Sequence, residues 1–358
     1  MPGTMSRVKR ATAISAIAAA TLLLSACAQG ASGGTAPEGP SLSTVKIGIP
    51  AAISNAPLFI AIDRGYFDAE GITLENASFK SAADMIAPLG SGQLDVGTGA
   101  SSAGVFNAAA QGVHMKIASD KAIVGEGNSA YALVVRKDLI DSGAFTSFAD
   151  LRGLTVSSYG AGGAVDIYLD KMLEKGGLAF DDINLRTLGG PDAVTALANG
   201  AIDAAALAEP QVAQVVAAGT AVRFAGSDVV YPNQQIGVLM FSDRFASSEP
   251  ETATAFMRAY LKGVRDYSEA IIDGKIGGTK GDEILPILVS HTGIDGATLR
   301  NAYMPEMNPK GELLMESLKH DLVYWKAKGL VKGDVEVDDV VDTTFIDKAA
   351  ADLGRSER

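Results

Sequence analysis

The sequence predicts an α/β protein built of two similar halves, on three observations. β-rich and helical stretches alternate along most of the chain with short turns between them, as in parallel sheets covered by helices on both faces. Leu89-Gly90-Ser91-Gly92-Gln93-Leu94-Asp95-Val96-Gly97 returns 108 positions later as Leu197-Ala198-Asn199-Gly200-Ala201-Ile202-Asp203-Ala204-Ala205, with Asp84 and Asp192 upstream at the same offset. The chain has 358 residues, 47% hydrophobic and only 20% charged, with 40 glycines, which is enough for two cores and many tight strand-to-helix turns.

The N-terminus is set aside first. Arg7, Lys9 and Arg10 precede an apolar run from Ala11 to Leu24 that ends in Leu24-Ser25-Ala26-Cys27. That run is too short to span a bilayer comfortably, and the pattern is that of a bacterial lipoprotein leader. An ordinary secretory signal or an uncleaved anchor helix are the alternatives. Cys27 is the only cysteine in the chain and stands where lipidation needs a thiol, so lipidation is favoured. A lone cysteine also rules out a disulfide within one chain. Residues 1–26 are therefore expected to be the signal peptide, and 27–43, rich in Ala, Gly, Ser, Thr and Pro, a flexible tether. Its reach is about 20–25 Å. The protein is expected outside the cytoplasm, lipid-anchored to the bacterial cell membrane. The net charge of −12 includes three basic leader residues, so the remainder is more acidic still, which argues against nucleic acid or an anionic membrane surface as partner.

After the tether the elements follow in order. Val45–Ile49 alternates as a strand, and Ser54 or Asn55 caps a helix that tolerates Pro57 in its first turn. Further strands are expected at Ile72–Ala77, Leu94–Thr98, Val113–Ala118 and Tyr131–Val135. Helices run over Ala82–Leu89 and from Gly99–Ser102 to Gly112. The sequence then begins again, with strands at Leu154–Ser157, Ile183–Leu185, Ile202–Leu207 and Ala221–Phe224, and helices at Gly163–Glu174, Asp192–Ala198 and Gln211–Ala218. Ile236–Phe241 is a last strand. The remainder is helical: Pro250–Ile272, with Phe256, Met257, Tyr260, Leu261 and Val264 on one face, then Asp282–His291, Gly296–Tyr303, Gly311–Lys328 and Val340–Leu353. Trp325 reads as core. Asp95 and Asp203, each opening the repeated strand, read as structural.

Catalytic signatures are absent. His114, His291 and His320 are scattered, no HExxH, GxSxG or Walker A motif occurs, and Gly160-Ala161-Gly162-Gly163 lacks dinucleotide spacing. No metal, cofactor or catalytic residue is expected. What remains is a set of helix starts at strand ends, where open α/β sheets bind ligands and free N–H groups suit anions or polar oxygens. The candidates are Ser54 and Asn55; Phe79, Lys80 and Ser81; Gly99, Ser101 and Ser102; Tyr159, Gly160, Gly162 and Gly163; and Glu209. Each turn alone is an ordinary cap; together they would face one cleft. Glu209 could accept from an amine or ring N–H, or merely cap the next helix. Phe79 and Tyr159 could supply aromatic walls, and Lys80 and Lys121 are the candidate cations.

These motifs resemble a known family. Asn55-Ala56-Pro57-Leu58-Phe59-Ile60-Ala61, Gly65-Tyr66-Phe67, Glu70-Gly71-Ile72, Ser91–Gly97, Asp150–Leu154, Gly176-Gly177-Leu178, Asn199–Ala204 and Glu209-Pro210 are similar to the sulfonate/nitrate/taurine and thiamine-precursor group of ABC-transporter solute receptors. The resemblance covers the chain from about Thr44 onward. It implies a type II periplasmic-binding-protein fold: two three-layer α/β lobes with mainly parallel sheets, joined by two crossover strands near Tyr131–Arg136 and Gln234–Phe241. The expected lobes are 44–135 with 237–358, and 136–236. It also places the pocket on the turns named above. Fungal pyrimidine synthases of this fold need a cysteine-rich iron motif and an active-site His, and both are missing here. The resemblance thus implies a monomeric receptor, not an enzyme, that passes a small polar or anionic solute to a permease and ATPase pair. A nitrogen heterocycle as ligand, or a sensory role, are the alternatives.

Overall fold

The computed structural model describes residues 43–77, 79, 83–127 and 129–354. The leader, Cys27, Lys80 and Ser81 lie outside the described residues. Apart from a short C-terminal hairpin, the strands of the described residues run in chain order as β1 (Ser43–Gly48), β2 (Ile72–Ala77), β3 (Val96–Ala100), β4 (Met115–Ile123), β5 (Tyr131–Arg136), β6 (Thr155–Ser158), β7 (Asn184–Thr187), β8 (Ala204–Ala208), β9 (Ala221–Gly226) and β10 (Gln235–Ser242). They form two five-stranded sheets, ordered β2-β1-β3-β10-β4 and β7-β6-β8-β5-β9. The two orders are one topology used twice. In each sheet the fourth strand in spatial order runs against its neighbours: β10 pairs antiparallel with β3 and β4, and β5 with β8 and β9. This is the two-sheet α/β architecture of type II periplasmic binding proteins.

The repeated stretch forms equivalent strands. Val96 lies opposite Ile47 on β1, and Ala204 opposite Val156 on β6. Both central strands are buried on both faces, so they read as short apolar runs rather than as alternations.

The chain passes between the sheets twice, between β4 and β5 and between β9 and β10. The passages lie side by side: the Val124 amide donates to the Gln234 carbonyl at 3.0 Å, and the Asn233 amide to Val124 at 2.9 Å. The crossings thus fall mostly before the expected segments, Tyr131–Arg136 and Gln234–Phe241, which apart from Gln234 are strands inside a sheet. The reason is physical. A strand buried on both faces carries the same apolar run whichever sheet receives it.

The C-terminal helices return to the first sheet. Helix Pro250–Glu269 buries Phe256, Met257, Tyr260, Leu261 and Val264, the stripe expected from spacing, against helix Ala56–Asp63. They approach closely at Gly263, where a Cβ would stand 2.2 Å from the Pro57 carbonyl oxygen. Trp325, on helix Met315–Ala327, is fully buried against Phe106. The long helix stops before Ile272, because Ile271–Ile272 pairs with Lys275–Ile276 as a hairpin. Its turn is Asp273-Gly274, both at positive φ, the dipeptide that favours a tight hairpin turn. No helix among the described residues is long and apolar enough to cross a membrane.

Candidate functional site

The sheets meet at one kind of edge. β1, β3 and β4 end, and β10 begins, around a cavity of about 170 Å³ lined by Ser54, Asn55, Thr98, Gly99, Lys121, Ile236 and Gly237, with Tyr131 entering from the start of β5. Carboxyl ends of parallel strands are where open α/β sheets place ligands.

Lys121 is the charged group of this cavity, and the pairing of β4 with β10 explains its position. Gly237 lies opposite Ala122, and Val238 opposite Asp120, so Lys121 is an extra residue without a partner, a β-bulge. Bulges re-aim side chains. Ile236 is skipped likewise on β10. The Lys121 stem runs beside Gly237, where a Cβ would come within 3.2 Å of its Cε. Its ammonium donates to Ser54 Oγ at 2.8 Å and Asn55 Oδ1 at 3.2 Å, while Asn55 Nδ2 donates to the Pro50 carbonyl at 2.7 Å. Lys121 is only 4% exposed, and burial pushes its ammonium down to about 8 against the opposing pull of Asp120. The Asp120 carboxylate is itself engaged, accepting from Gln235 Nε2 and from the Asn308 amide, both at 2.7 Å. Burial holds it up at about 6.

The other expected turns are placed differently. Gly99 lines the cavity, but Ser102 forms a β-bridge with Gly163, and the Ala103 amide donates to the Gly162 carbonyl at 2.9 Å. The helix start at Ala103 is therefore met by the other half of the chain. Gly162 suits that contact: its φ is +93°, and a Cβ there would be 3.2 Å from the Ala103 methyl. Ser101 is fully buried, its amide donating to the Ile236 carbonyl; its hydroxyl has no partner among the described residues. Gly160 also holds a positive φ. The amides of Gly162 and Gly163 are turned toward the protein's own Asp166 carboxylate, which also accepts from Ser158 Oγ at 2.6 Å. Burial raises Asp166 and these hydrogen bonds oppose it. Tyr159 is more than a third exposed and its hydroxyl accepts from the Ala208 amide. Phe79 is half-buried against Gly48.

Glu209 is not brought to this cavity. Its side chain is buried, with Oε2 accepting from the Ala213 amide at 2.8 Å and Oε1 from the Tyr303 amide at 3.1 Å. It lines a separate cavity of about 310 Å³ with Arg223, Lys275 and Tyr303. Burial raises its pKa, opposed by the two amides and by Arg223. Of the expected residues that the structure describes, then, Ser54, Asn55 and Gly99 converge with Lys121, and the other described ones support the contact between halves or lie elsewhere. Tyr131, Ile236 and Gly237 were not expected at the site. Their one sequence signal was position: each stands where a strand begins beside an inter-sheet passage.

The chain matches the NMT1/THI5-like family over residues 53–270, more than half its length. It belongs to that family. Solved structures agree in fold. The alkanesulfonate-binding protein SsuA from Xanthomonas axonopodis pv. citri, bound to MOPS, is 18% identical, with 84% of this chain and 99% of that one covered at a TM-score of 0.65. The periplasmic nitrate-binding protein NrtA from Synechocystis PCC 6803 is 15% identical, with 88% and 90% covered at 0.70. The desulfurization enzyme DSZB also matches, at 14% identity and 0.60, with 87% and 100% covered. Such identities show a shared fold and nothing finer. No curated protein matches in sequence.

Proposed function

We propose that the chain is the extracytoplasmic substrate-binding component of an ABC importer, lipid-anchored through Cys27. It captures a small polar or anionic organic solute of the sulfonate, taurine or nitrate kind and delivers it to a permease and ATPase pair. The observation that carries this reading is the cavity at the carboxyl edge of the first sheet, entered by Tyr131 from the second and directly beside two passages hydrogen-bonded to each other. Paired passages let one sheet and its helices swing against the other, so a solute that touches both can shift the population toward the closed form. The alkanesulfonate-binding and nitrate-binding proteins among the structural neighbours support this reading.

No enzymatic step is assigned. The polar groups of the cavity are an amine, a carboxamide, hydroxyls and a phenol; the Ser54 hydroxyl lies 2.8 Å from Lys121 Nζ, a hydroxyl beside an amine, so product analysis is part of the test. The test is a thermal-shift panel of nitrate, methanesulfonate, taurine, bicarbonate and 4-aminopyrimidine on the purified protein, followed by product analysis of any stabilising compound. Ligand bound to the native state alone raises the melting temperature. Saturable stabilisation with the compound recovered unchanged supports a receptor. Consumption of the compound assigns an enzyme instead.

A further inference from the structure

Lys121 presents an anomaly. An ammonium that is 4% exposed should be paired with a carboxylate, because an isolated buried charge is costly. Yet among the described residues its contacts are Ser54 Oγ and Asn55 Oδ1, both neutral, and no carboxylate lies within ion-pairing distance. The charge that does reach it is Asp120, already occupied by Gln235 and Asn308. The elements around it add no second carboxylate: Ile53–Asn55 is uncharged, the ends of β3 and β10 contribute Thr98, Gly99 and Gly237, and β5 contributes the Tyr131 phenol. A β-bulge nevertheless aims this lysine into the cavity, and Gly237 leaves space for its stem.

We propose that Lys121 is the charge-recognising residue of the cavity, and that its solute carries an anionic head group that completes the missing ion pair, with Ser54 and Asn55 orienting the ammonium. The inference rests on the reading of this cavity as the solute site, and it deepens that reading from polar or anionic to anionic. It also has a proton consequence. Burial leaves the empty cavity with a lysine near half-protonated around pH 8. An anion binds the protonated form, so binding around pH 8 takes up a fraction of a proton, and above it affinity falls about tenfold per pH unit by one-proton linkage.

Nitrate, methanesulfonate, taurine and 4-aminopyrimidine, which is uncharged above pH 7, are titrated calorimetrically into the full protein from pH 6.5 to 9.5. Buffers of differing ionisation enthalpy report proton uptake. The expected result is binding of at least one anion, flat below pH 7.5, falling about tenfold per unit above 8, with proton uptake near pH 8. Lys121→Met should abolish that binding while leaving the ligand-free protein as stable or more so, since an uncompensated buried charge is removed. A lysine that only ties β4 to Ser54 and Asn55 would instead lose stability on this change. Anion binding that survives Lys121→Met, or binding of 4-aminopyrimidine alone with no pH dependence, overturns the inference and leaves the receptor reading standing. If none of the four probes binds, the solute-site reading falls and the inference with it.

Discussion

Asp95 and Asp203 perform the same task in the two sheets. The Asp95 carboxylate accepts from the Lys46 amide on β1 at 2.9 Å, and the Asp203 carboxylate accepts from the Thr155 amide that opens β6, also at 2.9 Å. Each aspartate also donates its own amide to the carbonyl of that same residue. The repeated Gly-x-apolar-Asp pattern is therefore a device for starting a strand beside its neighbour. Replacing either aspartate by Ala leaves an amide without its acceptor and should cost about 1–2 kcal/mol. The loss should be larger for Asp203, which is additionally held by Arg136 at 3.2 Å. Chemical denaturation of the two variants checks this, and both should keep the affinity of the parent for any solute found.

Glu209 holds the second half to the C-terminal segment. Its two oxygens receive one backbone N–H from Ala213, in the helix Gln211–Ala217 that follows it, and one from Tyr303, whose ring lies 4.5 Å from the Arg223 guanidinium. In Glu209→Gln one of those amides faces an NH2 group. The expected outcome is a stability loss of about 1–3 kcal/mol with solute affinity changed by less than roughly threefold. Melting curves beside calorimetry separate the two effects. A loss of affinity larger than the loss of stability would place Glu209 at the ligand after all.

How much of this was legible from residues alone follows from what each residue answers to. Strands, helix starts and the apolar face of Pro250–Glu269 obey local periodicity, and the chain shows them. The sheet assignment of Tyr131–Arg136 does not, because a doubly buried strand carries no mark of its partner. The site divides in the same way. Ser54, Asn55 and Gly99 could be named because they lie where a strand gives way to a helix. Ser102, Gly162 and Gly163 lie at such junctions too, but the helix start and glycine turn that looked open to a ligand meet each other across the halves. The decisive feature of Lys121 is a bulge, and a bulge is a relation between two strands 115 residues apart at Asp120 and Gln235. Nothing near Lys121 in sequence distinguishes it from a solvated lysine.

Gly263 sets the distance between two helices. A glycine inside a helix costs about 1 kcal/mol relative to alanine, so on propensity alone Gly263→Ala should stabilise. Against that, the new methyl would lie 2.2 Å from the Pro57 carbonyl oxygen and 3.1 Å from the Ala61 methyl. Backbone cannot give way as a flexible side chain can, and overpacking of this kind costs about 1–3 kcal/mol or more. The steric effect should win, with a net loss of stability. A melting temperature above that of the parent would show that the helices part freely here.

Two buried carboxylates make stability depend on pH in an unusual direction. Asp120 is held at about 6 and Asp321 at about 7, in both cases by burial. Asp321 accepts from the Tyr231 hydroxyl at 2.8 Å and Gln234 Nε2 at 3.3 Å, beside one of the inter-sheet passages. A carboxylate whose folded pKa lies above its unfolded value stabilises most when protonated. That contribution is complete below about pH 4 and is lost as pH rises through 6 to 7. On this scale Asp120 can contribute up to about 3 kcal/mol and Asp321 up to about 4 kcal/mol. The carboxylates lowered by their partners, among them Glu70 beside Arg258 and Lys262, act in the opposite sense, but only below their unfolded values. His320, lowered by burial beside Asp321, also opposes the raised pair up to its unfolded value near 6.5. It is one partly exposed group against two buried carboxylates, so between pH 5 and 7.5 the raised pair dominates. The melting temperature should fall across that interval. Asp321→Asn, which keeps an acceptor for Tyr231 and removes the titration, should flatten the slope while Asp120 sustains the remainder. A melting temperature that rises from pH 5 to 7.5, or a slope unchanged in Asp321→Asn, would show that this carboxylate is already ionised in the folded chain.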